Sequence, residues 1–154
     1  MSWIDNEIET IRKEQMERVA AREWTLRKGE ILRGKLFLVW SAVSAQVRKD
    51  VAALEAVYKG EVEFTEAPAR TFTVKKKTTP CVSVTASIRT DCRMIDLMIR
   101  QGNSFGFVDD KPDAIGVDMD EKENVRYFWF DKSLNSLEDV SRIILSPVLA
   151  AFRH

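Results

Sequence analysis

Histidine and cysteine are nearly absent from this chain: there is one His, at position 154, and two Cys, Cys81 and Cys92. A tetrahedral zinc site of Cys and His ligands lacks donors in one chain. A Ser-His-Asp or Cys-His apparatus would have to recruit the last residue given. No metal and no cofactor are expected. Two cysteines make no disulfide framework, and both are read as reduced thiols. Net charge is lacking as well, because 24 Lys and Arg balance 24 Asp and Glu. An electrostatically driven nucleic-acid binder carries a basic excess, so nucleic acid is not the expected partner. Long apolar runs are also missing. The longest, Leu36 to Trp40, is far short of the ~18 residues of a membrane span. The opening segment MSWIDNEIETIRKEQ has no apolar core of signal-peptide length. The expectation is a cytoplasmic protein without a membrane segment.

What is present suffices for a core. Apolar residues make up 45% of 154, and charged residues 31%, the balance of a folded chain rather than a disordered one. The length suits a single domain spanning 1–154. Three regions follow from periodicity: a helical region over 1–60, an antiparallel sheet over 61–131 and a C-terminal helix over 136–152.

In the first region, Ser2 and Asp5 form a capping-box pattern with Asp in place of Glu or Gln. Ile4, Ile8 and Ile11 then share a helical face. Gly29 and Gly34 mark an expected break or bend. From about residue 35 to 59, Leu36, Trp40, Val43, Val47, Val51, Leu54 and Tyr58 make one continuous stripe, ended by Gly60. A competing reading keeps Leu36–Trp40 as a buried strand. Phe37 and Leu38 lie off the stripe, which leaves this end apolar on several sides.

Beyond residue 61 the period becomes two. Val62 and Phe64, Phe72 and Val74, then Val82, Val84, Ala86 and Ile88 alternate with polar residues, followed by Ile95, Leu97 and Ile99. Turns are expected near Thr90–Asp91 and Gly102–Asn103. Ile115, Val117 and Met119 read as a short strand, and Val125 to Phe130, aromatic on both faces, as a central one. Short connections and one polar face mean antiparallel pairing. Ser136 and Asp139 then cap a last helix striped by Leu137, Val140, Ile144 and Val148, which Pro147 should kink or end. The expected fold is α+β: two N-terminal helices, six or seven strands in an antiparallel meander, and one C-terminal helix, with the helices on one sheet face.

Several local features bear on function. Asp109, Asp110, Asp113, Asp118, Asp120, Glu121 and Glu123 crowd into one stretch, but Lys122 stands where a Ca²⁺ loop needs an oxygen ligand and no turn glycine is present. Solvated turns at DDKPDA and DEKEN are the expectation. Lys75, Lys76 and Lys77 read as protection of a sheet edge, with weak RNA or DNA binding as the functional alternative. Phe105 and Phe107 share a strand face, a partial match to base-stacking strands, but Asn103, Ser104 and Asp110 depart from that pattern. Trp40, Tyr58 and Trp129 can line a ligand pocket between sheet and helices, with Arg100 or Arg126 anchoring an anion.

Three functions compete. The favoured one is a non-catalytic module that self-associates as a homodimer through Ile4, Ile8, Ile11, Phe37 and Leu38. The second is a small-ligand-binding protein or enzyme using Trp40, Tyr58, Arg100, Arg126 and Trp129. The third is nucleic-acid binding through Lys75–Lys77. No catalytic residues stand out.

Overall fold

The computed structural model describes residues 2–102 and 108–153. Helix α1 runs over Trp3–Gly34 and α2 over Leu36–Val57. At the start of α1 the capping box closes: the Asp5 amide donates to Ser2 Oγ, and the Ser2 amide donates back to the Asp5 carboxylate at 3.3 Å. Two helix-end donors are thereby satisfied. Gly29 does not bend the helix. Its role is close approach, since a Cβ there would lie 3.0 Å from the Arg93 guanidinium. The break falls after Gly34, at the single residue Lys35. Leu36–Trp40 is helical, not a strand. Gly60 adopts φ +76°, a left-handed conformation that costs glycine little, and turns the chain into the sheet.

Seven strands follow in chain order, each antiparallel to the next: β1 Val62–Ala67, β2 Thr71–Lys76, β3 Val82–Ile88, β4 Met94–Gly102, β5 Val108–Met119, β6 Val125–Trp129 and β7 Lys132–Leu134. Helix α3, Leu137–Phe152, closes the fold. One sheet face is apolar. Phe72, Val74, Val84, Ala86, Ile95, Leu97 and Ile115 are buried there with Val43, Val47 and Val51 of α2 and Val140, Ile144 and Val148 of α3. Each such side chain contributes roughly 1.5–3 kcal/mol on burial, which outweighs the cost of a proline within α3. The helix therefore continues through Pro147 to Phe152 instead of ending. The opposite sheet face is polar, with Thr73 and Thr85 hydroxyls 3.1 Å apart across neighbouring strands.

Two strand assignments differ from the periodicity. The DDKPDA segment is not a turn but the first half of β5, with Asp110 opposite Arg100 and Pro112 opposite Met98. Strand β6 pairs only with Gly116–Met119, so the 108–114 half of β5 has an open side. Proline's missing amide costs no ladder bond at such an edge, and acids there deter further strand addition. The aromatic segment is likewise not central. β6 is sixth of seven, and Phe130 stands in the tight turn to β7 with φ +54°. Lys75–Lys77 do not guard an edge either, because β2 lies between β1 and β3.

Candidate functional site: an unpartnered helix beside a filled interior

The five residues expected to line a pocket are not brought together. Trp40 stacks on Phe72 with centroids 5.1 Å apart, and Phe72 in turn meets Phe64 at 5.1 Å. Tyr58 stacks on Phe152 at the end of α3, 4.4 Å away. The Trp129 indole N–H donates to Asp113 at 3.0 Å. Arg100 is clamped on Asp110 across β4 and β5, and Arg126 on Asp120 in the β5–β6 turn. Trp40 thus packs into the core on Phe72, while Tyr58 and Trp129 lie at its margin against other partners, and both arginines already hold a carboxylate.

Trp40 does border a surface cleft of about 320 Å³ between α2 and the β1–β2 turn, with Ser41, Ser44, Arg48 and Arg70. Arg48 is committed there, paired with Glu66 and lying over the Phe64 ring at 5.2 Å. Lys75–Lys77 do not form one patch. Lys76 is buried, its ammonium donating to the Thr78 carbonyl at 2.9 Å and the Pro80 carbonyl at 3.3 Å, and sitting 5.0 Å from the Phe152 ring centre. Lys77 pairs with Glu63 at 3.4 Å. A consecutive run of lysines on a strand alternates between faces, a consequence of period two that composition alone hides. The Phe105–Phe107 pair lies outside the described residues.

Nucleophilic chemistry finds little support in the thiols. Burial, with the Asp91 charge second, pushes the Cys92 thiol up, which disfavours the reactive thiolate. Burial similarly pushes the Tyr127 hydroxyl up to about 12. Cys81 is exposed, and neither cysteine is in a disulfide. Among the described residues, no three His, Cys, Asp or Glu side chains converge as a metal site, and no helix is long and apolar enough to cross a membrane.

The remaining feature is α1. Its last third is anchored to the sheet end: Leu32 is buried, Lys28 pairs with Asp118 at 2.7 Å, and Lys35 donates to the Glu123 carbonyl at 2.6 Å. Every residue from 2 to 23 is exposed. Ile4 and Ile11 retain 47% and 49% of their surface, and Val19, Leu26, Phe37 and Leu38 are exposed as well. Val19 and Leu26 extend the apolar surface beyond the three isoleucines, and a search for strict heptads misses them because the spacing is not heptad. No family model, curated protein or solved structure matches the chain.

Proposed function

We propose that this protein is a non-catalytic, cytoplasmic interaction module that self-associates as a homodimer through α1. The observation that carries the reading is a helix solvated on all sides over residues 2–23 that nevertheless presents Ile4, Ile8 and Ile11 on one face. Isolated helices are marginal in water, and most helices draw their stability from packing an amphipathic face. Isoleucine is also a weaker helix former than Leu, Ala or Glu. Three of them on a free helix make sense when a partner covers them. The sheet region then serves as the rigid body that the paired helices carry.

Native mass spectrometry combined with light scattering tests this. A dimer at micromolar concentration is expected, and it should revert to monomer when Ile4, Ile8 and Ile11 are replaced by Ser. A wild-type monomer at high micromolar concentration would overturn the proposal.

A further inference from the structure

Building on that self-association, we infer that two copies of α1 pair antiparallel, with the two-fold axis at Gln15. Three features of the helix lead there. The first is the spacing of its exposed stripe. Ile4, Ile8, Ile11, Gln15, Val19, Arg22 and Leu26 are separated by 4, 3, 4, 4, 3 and 4 residues, a series that reads the same in both directions. At ~100° per residue these positions fall within about 80° of one another. Reversing the series about Gln15 sets Ile4 opposite the partner's Leu26, Ile11 opposite the partner's Val19, and Ile8 opposite the partner's Arg22, whose aliphatic stem can cover the isoleucine while its charged end stays in water. Each of these layers occurs twice by symmetry, and Gln15 meets its own copy. From Ile4 to Gln15 and from Gln15 to Leu26 the pattern advances 11 residues. Such a repeat runs nearly straight, with a slight right-handed supercoil.

The second feature is charge. Residues 3–17 carry Asp5, Glu7, Glu9, Glu14 and Glu17 against Arg12 and Lys13, a net −3. Residues 18–34 carry Arg18, Arg22, Arg27, Lys28 and Arg33 against Glu23 and Glu30, a net +3. Antiparallel pairing lays each acidic half on a basic half. Parallel pairing would oppose like charges along the whole length, a specific penalty of the kind that fixes helix orientation.

The third feature is length and clearance. About Gln15, Ser2 lies opposite the partner's Lys28. Anchoring begins at Trp24, half-buried against the core, and is secured at Lys28 by its salt bridge to Asp118. The overlap therefore covers the whole free part of the helix, residues 2–23, and ends about one turn into the anchored part. The anchoring residues Trp24, Lys28, Ile31 and Leu32 lie about 150° around the helix from the stripe, at ~100° per residue. The stripe therefore faces away from the side of α1 that meets the sheet. The two Lys28 anchors would stand about 40 Å apart along the axis, at ~1.5 Å per residue, so the dimer is a rod with one sheet body at each end.

Single cysteines in a Cys81→Ser background of the full chain test the orientation. An equimolar mixture of Ile4→Cys and Leu26→Cys proteins should form a disulfide-linked dimer of mixed composition on mild oxidation, while Ile4→Cys alone should not. High salt should weaken the wild-type dimer severalfold, because the paired halves attract. Efficient cross-linking of Ile4→Cys to itself would overturn the antiparallel arrangement while leaving self-association standing. A dimer by mass with no mixed cross-link would overturn the register in the same way. A monomer by mass would remove both.

Discussion

Helices α1 and α2 are neighbours in sequence, separated by one residue, yet they are built for opposite surroundings. α2 buries Val39, Val43, Val47 and Val51 against the sheet, and its β-branched side chains lose little because the packed face holds them in one rotamer. The first two-thirds of α1 bury nothing within the chain. Both helices show an apolar face at helical spacing, so periodicity alone does not separate a core helix from an interface helix. What separates them is the other face. α2 is followed by a sheet with an apolar face for its stripe to pack on, whereas the stripe of α1 is interrupted by Gln15 and Arg22 and lies on a helix rich in charge. Interruption by polar side chains is tolerated on a two-helix seam, where Gln15 can meet its own copy and the Arg22 head can stay in water, and costly in a closed core.

The comparison breaks most sharply at Phe72. Fully buried, it touches both Trp40 and Phe64. Phe72→Ala should cost about 3–5 kcal/mol through lost burial and the cavity left behind. Urea unfolding should register this as a lower midpoint at unchanged slope, with the length of α1 irrelevant to it.

Lys76 ranks next. Its buried ammonium holds the 78–80 segment through the Thr78 hydroxyl and carbonyl and the Pro80 carbonyl. Lys76→Met keeps much of the stem but leaves those acceptors without their donor, at a cost of about 1–3 kcal/mol. A drop in midpoint together with faster hydrogen exchange at residues 77–82 is the expected result. Loss of exchange protection elsewhere instead would place the role of Lys76 in the core at large.

On the α1 side the expected stability effect is small. Replacing Ile4, Ile8 and Ile11 together by Ser should change the stability of the monomer by less than about 0.5 kcal/mol per site, the usual range for exposed positions. Association should vanish. A large loss of monomer stability would mean that this segment packs within the chain, and the contrast between the two helices would fail.

Much of this was legible beforehand. Both capping motifs, the α2 stripe and the alternation of Val82 to Ile88 follow from local spacing, and local spacing is what these features depend on. The errors share one cause, namely that they needed tertiary information. Asp109 to Asp113 look like a turn by composition, yet Arg100 opposite Asp110 and the Trp129 indole on Asp113 give those acids strand neighbours. Val125 to Phe130 look central by hydrophobicity, but only strand order shows that β7 is all that follows. Trp40, Tyr58 and Trp129 share apolar character, but whether aromatic rings line a void or stack on one another depends on pairwise distances that no spacing encodes.

The smallest expected effect sits where the two regions meet. In the β5–β6 turn, Asp120 accepts from the Asn124 and Lys122 amides, from the Asn124 side chain and from Arg126. Donation to the ionised form, led by the Asn124 amide and aided by Arg126, lowers its carboxyl from 3.8 to about 2. A depressed carboxylate contributes its stabilisation above the unfolded value, and that contribution is lost as pH falls through about 2. The same turn holds Glu123 at φ +64°, with its carbonyl accepting from Lys35 at the junction of α1 and α2. Protonating Asp120 should therefore loosen the grip on the end of α1 before the sheet core responds. Carboxyl NMR should place the Asp120 midpoint near 2, and Arg126→Ala should raise it only part of the way towards 3.8 because the amides remain. Below that midpoint, exchange should quicken first at residues 120–124 and at the end of α1. Simultaneous loss of protection in Phe72 and Val84 would instead tie the turn to the core as one cooperative unit.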